Sequence, residues 1–291
     1  MKKNILTVML LSSMSVPAFA LENGVSIYKH GVESFLGGAV PPPGIHGLVY
    51  SNYYTADRLN NSDGDNLNVP NFEVNAFALA PRVIWVSEQK LLGGNIVLGA
   101  ILPLVSLDSK MLDQKISKDG LGDMVLEAAL GYHYSPNLHT AAALEFYLPT
   151  GSYNKNDFAN IGTNRYAVEP LYAVSYIDQR FSADIKVGYI FNGKNKDTDY
   201  ESGDEFHFDY SLGLNFNQYT VGIGGYYQQQ IQNDKINGTE IENSKTRGFS
   251  IGPNVKYQVG DWFTTLKYEK EVIAENRTQG DSVWLKVIMP F

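Results

Sequence analysis

Between Met124 and Phe291 the sequence changes character with every second residue, in segments joined by connections that are alternately short and long. In 124–134 the even positions Met124, Leu126, Ala128, Leu130, Tyr132 and Tyr134 are apolar or aromatic, whereas the odd positions include Glu127, Gly131 and His133. After a turn at Ser135-Pro136-Asn137, Leu138, Ala142, Leu144, Phe146 and Leu148 take one face, and His139, Glu145 and Tyr147 the other. A period of two with one apolar face specifies β-strands, and the short turn makes the pair a hairpin. The plan recurs in 165–177 with 180–192, in 204–217 with 218–231, and in 247–259 with 261–273.

Long polar stretches separate the hairpins: 59–71, 108–120, 150–164, 193–203, 233–246 and 275–280. A soluble sandwich has no reason to keep that rhythm. A transmembrane barrel does, with short periplasmic turns and long extracellular loops. The segments run to about 12–15 residues, beyond the roughly 5–6 of soluble strands and enough to cross a membrane at a tilt. Adding the less regular 44–58, 72–88 and 94–107 predicts an all-β fold, a transmembrane antiparallel β-barrel of about twelve strands. Alternation blurs at Pro81 and Arg82, where a bulge or a slip in register is expected.

Both ends fit an exported barrel. "MKKNILTVMLLSSMSVPAFA" places Lys2 and Lys3 before an apolar run and then Ala18-Phe19-Ala20, the order of a cleavable signal peptide. The closing "VWLKVIMPF" alternates to its last residue, with Val283, Leu285, Val287, Met289 and Phe291 on one face. A final strand of this kind closes a barrel against the first one. Phe291 is expected to form part of the signal read by the barrel assembly machinery. The domains predicted are a signal peptide at 1–20, an N-terminal periplasmic or lumenal segment at 21–43, and a barrel at 44–291 in the outer membrane and its lipids.

Composition narrows the function. The chain has no cysteine, so no disulfide framework, and no apolar run of 18 residues beyond the signal. Loss of Lys2 and Lys3 moves the formal charge from −8 to −10, which makes nucleic acid an unsuitable partner. The five histidines lack metal-ligand spacing, and no cofactor motif is present. Tyr 19 and Phe 14 suit aromatic girdles at the membrane interfaces.

The alternation places Glu127, His133, His139, Glu145, Arg165, Glu169, Arg180, Asp184, Lys186, Glu205, His207, Asp209, Lys256, Lys267, Glu269, Glu271 and Lys286 toward the lumen. Both signs occur, so these groups either steer solutes or pair across a narrow interior. The stretch 21–43, "LENGVSIYKHGVESFLGGAVPPP", is too irregular for a strand. Its Phe35, Leu36 and Val40 call for burial, and Pro41, Pro42 and Pro43 stiffen its junction with the first strand. It is expected on the periplasmic side, plugging the lumen or covering its mouth, or else hanging free. His133 and His139 flank Ser135, but Ser-Pro-Asn is turn chemistry and the turn is periplasmic. No catalytic group is assigned.

"ENG" after the signal, "FLGGAVPPPG", "GLGDM" at 120–124, "LPTGSYN" and a Phe-terminated last strand together resemble the family of outer-membrane transporters named for the meta-pathway of phenol degradation (SphA-like). The resemblance spans essentially the whole mature chain. It implies passive uptake of small apolar or aromatic solutes, with a sealed structural or adhesive barrel as the alternative and a lipid hydrolase a distant third.

Overall fold

The computed structural model describes Glu22 and residues 25–290. The signal peptide at 1–20 and Phe291 lie outside the described residues. Twelve barrel strands follow one another: β1 (Gly44–Leu59), β2 (Glu73–Leu91), β3 in two pieces (Gly94–Ile101 and Leu104–Met111) and β4 in two pieces (Gln114–Leu121 and Met124–His133). The rest are β5 (Leu138–Leu148), β6 (Ala167–Ile177), β7 (Phe181–Asn192), β8 (Glu205–Phe216), β9 (Tyr219–Gln230), β10 (Arg247–Val259), β11 (Trp262–Glu275) and β12 (Thr278–Pro290). Neighbours in sequence pair antiparallel, and β1 pairs with both β2 and β12, with Tyr50 opposite Ala80 on one side and Lys286 on the other. The sheet therefore closes, as it must where no water can satisfy an edge.

Two loops expected from polar composition are strand instead. Residues 108–120 belong to β3 and β4, which run on to a tight turn at Leu112-Asp113. Residues 275–280 reduce to the turn Asn276-Arg277 between β11 and β12. Beyond the membrane both strand faces meet water, so polar residues no longer mark a loop. The long connections are 60–72, 149–166, 193–204 and 231–246. Lys194–Asn195, Tyr200–Glu201, Lys235–Ile236 and Thr239–Glu240 join two of them in a small four-stranded sheet. The opposite rim carries short turns, such as Leu92-Gly93, where φ of +52° and +86° matches a type I′ hairpin.

Pro81 and Arg82 sit in unbroken register between β1 and β2, so the expected bulge is absent there. The irregularity falls one strand over, at Leu102-Pro103. Pro103 has no N–H to give; Leu102 N donates to Pro81 O at 3.1 Å, and Gly122 N donates to Pro103 O at 2.8 Å. Alternation was hard to read in β2 for a different reason. Phe77, Leu79, Val83 and Trp85 face lipid, while Val74, Ala76, Ala78, Ala80, Ile84 and Val86 face inward, so both faces are apolar.

That observation divides the lumen. The wall from β1 to β5 is largely apolar inside, with Leu48, Ile84, Val97, Val105, Val125, Ala129 and Ala141. The wall from β6 to β12 presents Glu169, Asp184, Lys186, His207, Asp209, Lys267, Glu269 and Lys286.

Candidate solute pathway through the lumen

The N-terminal segment threads the barrel from one mouth to the other rather than stopping at the periplasmic side. Glu22 accepts hydrogen bonds from Tyr153, Asn195 and Thr198 in the long loops, at 3.0, 2.7 and 2.6 Å. Val25 O accepts from Arg165 Nη2 at 3.3 Å. Halfway down, Asp209 of β8 accepts from Tyr28 Oη, Gly31 N and Glu33 N. Further on, Asp184 of β7 accepts from Leu36 N and Gly37 N at 2.9 and 3.2 Å, and Ser175 Oγ of β6 accepts from Gly38 N at 2.8 Å. Lys267 Nζ donates to the carbonyls of Gly31 and Glu33, and Lys286 Nζ to the Glu33 carboxylate at 2.7 Å. An irregular segment carries backbone groups that need partners, and the polar half of the lumen supplies them.

Side chains fix its register. Phe35 is 1% exposed, and its ring lies where Gly213 of β8 has no side chain; a Cβ there would be 2.8 Å from Cζ. Val40 likewise occupies the space left by Gly131 of β4 and packs on the cluster of Leu48, Ile84 and Val97. Leu36 adopts φ of +70°, an uncommon conformation for a residue with a Cβ, held by the Asp184 contacts. Pro42 and Pro43 are exposed at the periplasmic mouth, and Pro42 O accepts from His46 Nε2 at 2.8 Å.

Because the segment bonds to the polar side, space remains along β1–β5. An outer cavity of about 370 Å³ lies between residues 25–33 and an apolar wall that includes Val74, Ala78, Ile101, Leu107 and Val125. An inner cavity of about 270 Å³ lies between residues 36–42 and Leu48, Ile84, Val97, Ala129 and Ala143. Both are lined by Glu33, Tyr50, Arg82, Glu145 and Lys186, which form a charged waist between them. There Arg82 Nη1 donates to Tyr50 Oη at 2.8 Å and to Glu33 Oε1 at 3.3 Å, and Nη2 pairs closely with Glu127. Lys186 stands 3.5 Å from Glu145 and 3.3 Å from Glu169, whose carboxylates share the Tyr147 hydroxyl.

Of the other residues placed inward by alternation, Arg165, Glu169, Glu205, His207, Asp209, Lys256, Lys267, Glu269, Glu271 and Lys286 are buried. Arg165 donates from Nε to Asn192 at 3.1 Å, and His207 Nε2 meets Glu169 at 3.0 Å. Lys256 Nζ lies 5.8 Å from the Phe35 ring centre. Arg180 does not line the lumen: it is exposed in the turn after β6, where its N–H donates to Asp178. His133 is exposed at the periplasmic rim, its Nδ1 2.7 Å from Nδ1 of His139. Ser135 Oγ accepts from the amides of Asn137 and Leu138, so its oxygen serves the turn.

Arg82, Tyr50, Tyr28, His30 and Glu33 were not among the residues expected to line the lumen. For Arg82 a signal existed, the lone charge on an inward face that is otherwise apolar from Val74 to Val86. His30 Nε2 stands 3.4 Å from Glu205 inside the lumen.

A closed twelve-stranded antiparallel barrel with a lipid-facing exterior and its own N-terminal segment inside is a β-barrel of the outer-membrane class. Residues 56–287 match the family described as "Putative MetA-pathway of phenol degradation", and the chain belongs to that family. Among solved structures it is similar to an outer membrane channel from Pseudomonas putida F1, at 19% identity and a TM-score of 0.77, covering 87% of this chain and 97% of that one. A more distant likeness joins it to the translocator domain of the autotransporter NalP from Neisseria meningitidis, at 9% identity and a TM-score of 0.48, over 88% and 91% of the chains. Another joins it to the TodX monoaromatic hydrocarbon channel, at 10% identity and a TM-score of 0.42, over 93% and 98%. The sequence matches no curated protein.

Proposed function

We propose that this barrel passes small apolar and aromatic solutes passively across the outer membrane, along the β1–β5 side of the lumen. The observation that carries this reading is the pair of apolar cavities stacked beside the N-terminal segment and meeting at Arg82. The volume of the inner one, about 270 Å³, exceeds the ~150 Å³ of an apolar cavity that holds a benzene ring. In this reading 1–20 is removed on export, Phe291 is read by the assembly machinery, and residues 25–43 exclude hydrophilic solutes by filling the polar half. The barrel is a conduit without catalytic groups, and its partners are membrane lipid and the solute.

Deleting residues 25–40 behind the same signal tests it. In planar bilayers the deletion raises conductance several-fold, and in liposomes it admits sugars that the full chain rejects. A folded deletion variant with unchanged conductance removes the segment from the selectivity argument. A full-length barrel that takes up no hydrophobic tracer favours the sealed, structural alternative.

A further inference from the structure

His133 and His139 are separated in sequence by a turn, yet the hairpin makes them direct cross-strand partners at its periplasmic end. Their Nδ1 atoms stand 2.7 Å apart, with ring centres 4.9 Å apart and ring planes at 71°. Two imidazole nitrogens this close share one proton, which one ring donates and the other accepts. Among the described residues no other side chain bonds to either ring. The backbone holds the pair in place. Tyr134 N donates to Leu138 O at 3.0 Å, Ser135 Oγ accepts from two amides of the turn, and His139 pairs with Ser175 of β6 on its other side. Two ligands fixed on one hairpin lose little freedom when they close on an ion.

The spacing suits a metal. An ion bonded to two imidazoles at ~2.05 Å holds their nitrogens ~2.9 Å apart at a right angle and ~3.3 Å apart at the tetrahedral angle. The pair at 2.7 Å reaches the first of these by opening about 0.2 Å. Ligand type selects the ion: imidazole suits Cu²⁺, Ni²⁺ and Zn²⁺, whereas Mg²⁺ and Ca²⁺ take oxygen ligands. No group of three or more His, Cys, Asp or Glu converges among the described residues, so water fills the remaining positions. The general affinity order then puts Cu²⁺ above Zn²⁺.

The pair also has a defined place in the lumen wall. Glu127, Ala129, Gly131 and His133 follow one another along the inward face of β4, beside Glu145, Ala143, Ala141 and His139 of β5. The glutamates and alanines of these two rows line the inner cavity, and Val40 fills the space at Gly131. The imidazoles end both rows at the periplasmic mouth, where His133 is exposed.

We propose that His133 and His139 form a bidentate site for a divalent transition-metal ion, Cu²⁺ ahead of Zn²⁺, at the periplasmic mouth. The ion takes both Nδ1 lone pairs, and the proton between them passes through water to Nε2 of its own ring. The site needs only the hairpin, so it stands or falls apart from the uptake reading.

The test titrates Cu²⁺, Zn²⁺ and Mg²⁺ by calorimetry into the purified full chain in detergent, without a histidine tag. Wild type is compared with His133→Gln, His139→Gln and His46→Gln, the last removing an imidazole from the same rim but outside the pair. Heat-modifiable mobility on gels confirms that each barrel is folded. Wild type should bind one Cu²⁺ per chain, Zn²⁺ more weakly and Mg²⁺ not at all. Each variant of the pair should lose at least about tenfold in Cu²⁺ affinity, because the remaining imidazole no longer chelates. His46→Gln should change it by less than about twofold. The electron paramagnetic resonance spectrum of the Cu²⁺ complex should show splitting by two nitrogens, falling to one in either variant of the pair. Wild type that binds Cu²⁺ no better than the pair variants, equal loss in His46→Gln, or a spectrum with oxygen ligands alone overturns the proposal.

Discussion

Glu33 is the residue through which thread and wall hold each other. Its carboxylate meets Lys286 Nζ at 2.7 Å and Arg82 Nη1 at 3.3 Å, and Tyr50 donates to it at 2.9 Å. Glutamine keeps the shape but removes the charge that these two cations meet. Glu33→Gln should therefore raise conductance above that of wild type at pH 7 by loosening the segment. Conductance equal to wild type in the folded variant would show that the charge on Glu33 does not hold the segment. Most inward charges of β6–β12 were legible at this scale because period-two alternation is strict there. Arg180 falls outside the lumen because the run 180–192 counts one residue too many at its start, ahead of Phe181, where the chain is still in the turn. Arg82 reads as a break in the pattern because it stands alone among apolar neighbours.

Elements were most legible where one face is wet and the other greasy. In β7, Ser182, Asp184 and Lys186 alternate with Ile185 and Val187, and the strand declares itself. In β2 and β3 lumen and membrane are both apolar, so the pattern fades where the solute path runs. Composition also failed for the β3–β4 hairpin, whose outer part projects beyond the membrane and reads as loop. The best surface reporters therefore lie at hairpin tips rather than in the long loops. Asn195 is buried and bonded to Glu22, so an insertion there would disturb the segment. Asp113 is exposed at the hairpin tip, and Pro136 is exposed in the turn at the opposite rim. With no native cysteine, Asp113→Cys should react with a membrane-impermeant maleimide on intact cells, and Pro136→Cys only after permeabilisation. The reverse pattern would invert the barrel in the membrane.

At the scale of the molecule, the lumen has two unlike halves and the segment lies against one. Uptake of apolar solutes should then respond to charge on the β1–β5 side. Ala78→Asp places a carboxylate in the apolar stretch of the outer cavity wall, where a charge and its water oppose an apolar solute. Tracer uptake should fall about tenfold while the barrel remains heat-modifiable, the factor expected when a solute loses a little over one kilocalorie per mole of favourable contact. Uptake equal to wild type would place the path elsewhere. The ring closes between β1 and β12 directly beside the point where the segment enters at Gly44. Pushing Lys29, His30 and Glu33 through a finished ring would strip each of water in turn at the waist. Laying the same residues along β6–β12 while the sheet is still open strips none of them in advance. The segment is then a mandrel on which the sheet curls, so a chain lacking residues 25–40 should form heat-modifiable barrel more slowly in timed refolding, even though the ring it finally makes is emptier.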